Sequence, residues 1–233
     1  MKSNLGYRLV HRGAKILTVL LARVEVQGWE NLPRQGAYIA TANHLGRLEI
    51  VLVYYLLDRE DVILIIAEKY RQSGFWRWLA RQVNGIFIDR YNADISALRE
   101  VIKRLKQGGV LAIAPEGTRS KSGVMLEGHF GAAYLASKSG VPIVPVGVTG
   151  SEDEVVLQGF KRLKRARVIL KIGKPYTLPP LNNRDRENQL KQSTDEIMCQ
   201  IAALLPESYW GHYTNFPRVQ EIIQQYLNSA PMD

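Results

Sequence analysis

The feature that most constrains the fold is a repeated pairing of short, wholly apolar runs with longer helical stretches. Residues 62–66 and 110–114 contain only Val, Ile, Leu and Ala. Uninterrupted runs of this length are typical of strands buried on both faces, as in a parallel sheet covered by helices. The repetition therefore predicts an α/β fold with a mainly parallel central sheet flanked by helices.

The other elements follow from the same periodicities. Further strands are predicted at 24–26, 37–40, 85–88, 143–148 and 168–172, and helices at 50–57, 75–82, 95–107, 129–139 and 195–205. No linker rich in Pro, Gly or Ser divides the 233 residues. We expect an N-terminal amphipathic helix (1–23), one main domain (24–205) and an aromatic-rich tail packed on that domain (206–233).

The N-terminal helix is basic as well as apolar. Its side chains alternate at helical spacing: Leu5, Leu9, Ile16, Val19 and Leu20 with Arg8, Arg12 and Lys15. Such a helix either lies in a membrane interface or packs on the domain, and the pattern fits both equally. The charge-free apolar stretch 16–22 is far shorter than the ~20 residues of a membrane-spanning helix.

The amino-acid composition limits the classes of binding partner. Lys and Arg number 31 against 22 Asp and Glu, a formal net charge of +9. This balance favours anionic partners, although a solvated basic surface gives the same count. Cys199 is the only cysteine, which excludes a disulfide framework and a cysteine-based metal site, and the histidines lack ligand spacing. No metal is predicted.

Three polar groups follow predicted strands closely. His44, Arg90 and Glu116 come two to four residues after strand ends. Because sites in open parallel sheets gather at the carboxyl ends of the strands, we expect these groups at one edge of the sheet. The chain has no G-x-G-x-x-G after a strand, no G-x-x-x-x-G-K-[ST] and no G-x-S-x-G. A dinucleotide fold, a P-loop and a serine-hydrolase elbow are therefore not indicated.

Two segments carry the chemistry. In the first, His44 is followed five positions later by Glu49, an imidazole with a nearby carboxylate that suits proton abstraction. Five residues of an ideal helix turn through roughly 500°, so His44 must precede the helix for the two side chains to meet. The second, residues 115–119, offers backbone donors, a hydroxyl and a guanidinium, which suit a phosphate. Together they suggest chemistry on a phosphorylated alcohol.

Four ordered motifs resemble the PlsC-like glycerolipid acyltransferase family, that of 1-acylglycerol-3-phosphate acyltransferases. The family carries N-H-x4-D, G-x-x-F-[IV]-D-R, P-E-G-T-R-S and V-P-[IV]-x-P-V. This chain has Asn43-His44 with Glu49, then matching segments at 85–90, 115–120 and 141–146. The resemblance covers about residues 24–175. One departure is that Glu49 stands where the family has Asp.

The resemblance implies the roles of the site residues. His44 would be the general base, supported by Glu49, and Arg90 and Arg119 would bind the substrate phosphate. Gly117 would let the backbone approach the substrate, and Thr118 would donate a hydroxyl. Glu116 would either order the loop by pairing with an arginine or touch the acceptor.

The implied activity is transfer of a fatty acyl chain from an acyl thioester to a lysophospholipid, most simply 1-acylglycerol 3-phosphate. The co-substrate would be acyl-CoA or acyl carrier protein, with no cofactor and no nucleic acid. The protein would be peripheral, on an anionic membrane surface at its cytoplasmic face. Two alternatives stay open: the same chemistry on glycerol 3-phosphate or another lysolipid, and a lipid-binding relative without turnover.

A run of five cations at 161–167 is the last notable segment. Most such runs are solvated loops, but one could also meet the phosphates of an acyl donor or an acidic bilayer.

Overall fold

The computed structural model describes residues 5–89, 94–182 and 184–228. Its strands are β1 (Ala22–Gln27), β2 (Tyr38–Ala42), β3 (Val62–Ala67), β4 (Ile86–Ile88), β5 (Val110–Ile113), β6 (Ile143–Thr149) and β7 (Ala166–Ile172). Its α-helices are α1 (Leu5–Leu21), α2 (Leu48–Leu56), α3 (Gly74–Gln82), α4 (Ile95–Lys106), α5 (Gly131–Ser139), α6 (Asp153–Lys161), α7 (Arg186–Ala202) and α8 (Pro217–Asn228).

Within those ranges the strands form one sheet in the order β1-β7-β6-β2-β5-β3-β4. Strands β2 to β6 run parallel to one another, whereas β7 is antiparallel to β6, and β1 is parallel to β7. The predicted α/β class with a mainly parallel sheet is therefore confirmed. Because β7 is antiparallel to β6, β1 and β7 begin at the edge of the sheet where the parallel strands end. Thr149, the last residue of β6, pairs with Ile169 of β7.

The sheet separates two hydrophobic cores because successive strand side chains point to opposite faces. Val110 belongs to one core and the adjacent Leu111 to the other. The first core lies under α2, with Val156 of α6 packed against it. The second is filled from α4, α5, α7 and α8.

Helices α6 and α8 are not among the predicted elements. Helix α6 is a nine-residue segment that contains Val155, Val156 and Gly159, residues of low helix propensity, so tertiary packing decides its conformation. Helix α8 follows an aromatic segment in which Trp210 and Tyr213 are buried in the second core. Tyr213 also accepts a hydrogen bond from the backbone of Gly128 through its hydroxyl oxygen, at 3.0 Å.

Helix α1 packs through a side that mixes polar and apolar residues, and it exposes most of its large apolar side chains. Tyr7, His11 and Thr18 are buried, and Tyr7 lies against Tyr54 of α2. The apolar residues Leu5, Leu9, Ile16 and Leu20 are 60–70% exposed. In the described ranges, every helix is too short or too polar to cross a membrane.

Candidate active site

The candidate site lies at the edge of the sheet where β2, β5 and β6 end. These strands are adjacent and parallel, with β2 between the other two. The loop after β2 carries His44, the loop after β5 carries residues 115–120, and β6 is followed by Ser151 in its loop and by Asp153 at the start of α6. The predicted convergence of the first two loops is therefore observed, and β6 adds a third.

His44 and Glu49 are in direct contact. The His44 Nδ1 atom lies 2.5 Å from Glu49 Oε2, and the two side chains are 19% and 13% exposed. His44 precedes α2, and Glu49 is the second residue of that helix, as the geometric requirement predicts. A carboxylate only accepts hydrogen bonds, so Nδ1 carries the hydrogen and Nε2 the lone pair that can take a proton.

The other oxygen of Glu49 is held from three sides. Glu49 Oε1 accepts from the backbone N–H groups of Leu45 at 2.8 Å and Gly46 at 2.9 Å, and from the hydroxyl of Ser151 at 2.7 Å. The first two bonds fold the loop back onto the start of α2, in the manner of a capping box. At Gly46 a side chain would collide with the carbonyl oxygen of Ser151. Glu49 is thereby positioned for His44, although it is longer than Asp.

Asn43, the first residue of the same loop, attaches it to the sheet. Its amide donates to the carbonyl of Val148 and accepts from the N–H of Val148, both at 2.8 Å, and the side chain is 1% exposed. This pair of bonds imitates a peptide group and extends the β2–β6 pairing beyond the last residue of β2. The orientation of His44 is thus anchored to the sheet itself.

The His44 loop is also joined to the loop after β5. The His44 N–H donates to Glu116 Oε1 at 2.8 Å, and the His44 carbonyl accepts from the N–H of Ser120 at 2.8 Å. Glu116 Oε2 accepts from the N–H of Leu126 at 2.9 Å. Burial raises the pKa of Glu116 to about 7, and the backbone hydrogen bonds oppose the rise. The structure gives Glu116 an ordering role, with backbone N–H groups rather than an arginine as its described partners.

Arg119 lies beside the loop of His44 in an ion pair. Its Nη1 atom is 2.5 Å from Asp153 Oδ2, and the side chain is 35% exposed. The other oxygen of Asp153 accepts from the backbone N–H of Arg47 at 2.8 Å, and the Arg47 guanidinium lies 3.5 Å from Oδ2. One carboxylate therefore holds two guanidinium groups next to the loop of His44. Among the described contacts, the ion pair with Asp153 uses one of the five N–H donors of Arg119.

The remaining predicted residues are placed as follows. Gly117 has φ of +66°, and a methyl group at its Cα would lie 2.9 Å from the ring of His129, so the loop depends on glycine there. Thr118 is exposed. Arg90 lies outside the described residues, two positions beyond the end of β4.

An apolar cavity of about 460 Å³ opens beside His44 and Glu49. It runs between α2 and the sheet, where the lining residues include Leu52, Val53, Leu56, Ala40, Ala42 and Ala112. The alanines leave room under the helix that larger side chains would fill. The polar side chains of the lining are His44, Glu49, Asn43, His129, Asp89 and Asp94. A cavity of this size and character suits an extended hydrocarbon group.

Three residues of the site were missed by the sequence analysis. Asn43 belongs to a recognised motif but has no predicted role, and Ser151 and Asp153 lie beyond the predicted strand 143–148. The signal that could have found the last two is their position. Polar residues directly after a parallel strand face the edge at which sites form.

Comparisons with known proteins agree with this arrangement. The family model described as Acyltransferase matches residues 23–149. The 1-acyl-sn-glycerol-3-phosphate acyltransferase of Bacillus subtilis is 23% identical over 198 residues, which are 85% of this chain and 96% of the relative. The alpha form of that enzyme from Ovis aries is 31% identical over 72% of this chain and 62% of its own length. The chain thus spans almost all of the bacterial relative and less than two thirds of the mammalian one.

A solved structure has the same fold. The crystal structure of the 1-acyl-sn-glycerophosphate (LPA) acyltransferase PlsC from Thermotoga maritima superimposes with a TM-score of 0.61 at 29% identity. The match covers 82% of this chain and 79% of the other. The family model covers more than half of the sequence. The chain therefore belongs to the PlsC-like acyltransferase family and is an acyltransferase enzyme.

Proposed function

We propose that the protein transfers a fatty acyl chain from an acyl thioester to the free hydroxyl of 1-acylglycerol 3-phosphate and so forms phosphatidate. The observation that carries this proposal is the His44–Glu49 pair at the wall of an apolar cavity, with Arg119 and Arg47 close by on Asp153. A base, a hydrocarbon site and guanidinium groups are the three features that this reaction requires. The names of the relatives support the choice of acceptor.

In this mechanism His44 Nε2 accepts the proton of the acceptor hydroxyl as its oxygen attacks the thioester carbonyl carbon. Glu49 stabilises the imidazolium that forms and keeps Nδ1 as the donor. Collapse of the tetrahedral intermediate breaks the carbon–sulfur bond, and the thiolate takes the proton back from His44. No covalent acyl-enzyme is needed, because both substrates are bound at once.

The two substrates occupy different surroundings. An acyl chain lies in the cavity under α2, where it exchanges water for Leu and Val side chains. The phosphate of the acceptor binds Arg119, whose planar guanidinium matches two phosphate oxygens. Arg47 offers a second guanidinium on the same carboxylate. The donor is acyl-CoA or acylated acyl carrier protein, and both carry the acyl chain as a thioester.

An acyl-transfer assay tests the proposal. Purified protein with detergent-dispersed lysophosphatidate and labelled acyl-CoA is expected to yield labelled phosphatidate, and His44→Ala protein is expected to yield none above background. Glycerol 3-phosphate, other lysolipids and acylated carrier protein complete the panel. Efficient transfer to a different acceptor would reassign the substrate. No transfer with any pair would favour a lipid-binding protein without turnover.

The same proposal places the protein on the cytoplasmic face of an anionic membrane, as a peripheral protein. Support comes from α1, because a helix that packs by its apolar side would not leave Leu5, Leu9, Ile16 and Leu20 largely exposed. Arg8 and Arg12, also exposed on α1, add attraction to acidic lipid head groups.

Substitution of the exposed apolar residues of α1 tests this placement. The triple variant Leu9→Gln, Ile16→Gln, Leu20→Gln removes no buried contact, whereas truncation would uncover the surface that Tyr7 and Thr18 cover. We expect vesicle partitioning to fall by roughly a hundredfold or more, since three side chains lose apolar burial. The matched control is Leu227→Gln on α8, which is 63% exposed on the other side of the sheet. Unchanged sedimentation of the triple variant with acidic vesicles would contradict the placement.

A further inference from the structure

The second half of α6 and the turn that follows it expose apolar and cationic side chains together. We call residues 157–165 the α6 corner. Leu157, Phe160 and Leu163, spaced three apart, are 52%, 62% and 96% exposed. The cations between and beyond them are all exposed: Lys161, Arg162, Lys164 and Arg165. A large exposed aromatic beside a fully exposed leucine is unusual for a surface that meets only water.

Leu163 stands at a position where glycine would be easier. Its φ is +54°, and it follows the last turn of α6 where the N–H of Lys164 donates to the carbonyl of Gly159 at 2.8 Å. Helices that end in this way usually place glycine in the left-handed position, because a side chain there costs conformational energy. The leucine gains no packing in return, since almost all of it is exposed.

The α6 corner lies at the same edge of the sheet as the active site. It consists of the end of α6, whose first residue Asp153 holds Arg119, and the turn that leads to β7, whose first residue pairs with the start of β1. Because β1 and β7 run against the parallel strands, both begin at the edge where β2, β5 and β6 end. Helix α6 has nine residues and is about 13 Å long, so even the turn at its end is only one short helix away from Asp153.

The corner also adjoins the exposed apolar side of α1. Helices α1 and α6 are in contact, and the Arg165 guanidinium donates to the carbonyl of Val19 at 3.4 Å. Val19 and Leu20, at the end of α1, are 52% and 66% exposed. The apolar residues of the two elements therefore lie side by side with cations around them.

We infer that the α6 corner is a second lipid-binding element, which inserts Phe160 and Leu163 into the interface of an anionic bilayer while its four cations contact lipid phosphates. Together with α1 it holds the catalytic edge of the sheet against the membrane. The inference extends the proposed membrane association to an element that the N-terminal helix does not include. An acidic carrier protein or CoA would account for the cations, but neither requires exposed apolar side chains between them.

Vesicle binding of the full chain tests the corner with two kinds of variant. Leu163→Gly removes the side chain and favours the left-handed conformation, so it should leave the fold at least as stable while partitioning falls roughly tenfold. Arg162→Gln with Lys164→Gln should lower binding to phosphatidylcholine vesicles that contain phosphatidylglycerol by about fivefold for each cation, and leave binding to pure phosphatidylcholine unchanged.

Matched controls come from the opposite edge of the sheet. Lys106 and Lys138 are exposed at the ends of α4 and α5, so their change to Gln removes the same charge far from the corner and should not affect binding. Activity on detergent-dispersed substrate should be that of the unaltered protein in all these variants. If both corner variants bound vesicles as well as the unaltered protein while the α1 triple variant was released, the corner would be excluded as a lipid-binding element and α1 would be retained as one. Reduced use of acylated carrier protein with unchanged vesicle binding would make the corner a donor site instead.

A labelling experiment measures insertion directly. Cys199 is the only cysteine, it is 1% exposed, and burial raises the pKa of its thiol to about 12, so it should not react. A polarity-sensitive fluorophore on Leu163→Cys should shift to the blue with acidic vesicles and be quenched by brominated acyl chains. The same label on Leu227→Cys should do neither. A label at 163 that stays in water on membrane-bound protein would refute the insertion.

Discussion

Glu49→Gln is expected to lower kcat by about 10²–10³-fold while leaving the fold intact. The reason lies in the three donors on one side of the carboxylate. Glu49 Oε1 accepts from Leu45, Gly46 and Ser151, so the amide oxygen of a glutamine must take that place. Its NH₂ group then faces His44 Nδ1, which must become an acceptor. The ring hydrogen moves to Nε2, and the lone pair that takes the substrate proton is lost. An amide in place of the carboxylate of a serine-protease triad has the same effect, at about 10⁴-fold.

Two companion variants make the result specific. His44→Ala should cost at least as much as Glu49→Gln, because it removes the base itself. Glu49→Asp should fall below the unaltered enzyme, since a shorter carboxylate cannot reach His44 and the N–H groups of Leu45 and Gly46 equally well. Steady-state kinetics with saturating acyl-CoA measures all three. If Glu49→Gln turned over normally while His44→Ala was inactive, another group would have to orient the histidine.

Arg119→Lys is expected to lower kcat/KM for lysophosphatidate by roughly ten- to more than a hundredfold, the value of one charge-assisted hydrogen bond. The guanidinium can hold Asp153 with one nitrogen and present others to a phosphate. An ammonium group keeps the charge but cannot span both partners in one plane. The loss should appear mainly in KM if the phosphate is bound equally well in the ground state and the transition state.

Arg167→Lys is the matched control for this variant. Arg167 is also paired with a carboxylate, that of Glu25 at 3.2 Å, but it is 73% exposed and lies on β7. Its replacement should leave kcat/KM unchanged. Full efficiency of Arg119→Lys toward lysophosphatidate would remove Arg119 from the phosphate site. An equal loss with an uncharged acceptor would point to disruption of the loop through Asp153 instead.

Much of the fold could be predicted because its central strands consist of apolar residues alone. The runs that became β3 and β5 carry no polar side chain, so each must be covered on both faces, and a sheet between helices provides this. The position of His44 ahead of α2 follows equally from helix geometry. The directions of the two strands at one margin of the sheet could not be predicted. Strands β1 and β7 run opposite to the others, and nothing in their local sequence specifies that direction.

The sequence alone determined the class of fold, the pairing of His44 with Glu49 and the family. The fold class and the family depend on patterns that recur in order along the chain, and the pairing of His44 with Glu49 depends on spacing within one motif. Only the tertiary structure decided which groups hold that pair in place. Ser151 reaches Glu49 across 102 positions and Asn43 reaches Val148 across 105, and no local pattern encodes such contacts.

Helix α1 illustrates the same limit. Its periodicity is identical whether the apolar side is packed or exposed, because periodicity shows which residues share a face and not what that face meets. The neighbours of a helix are set by the rest of the chain.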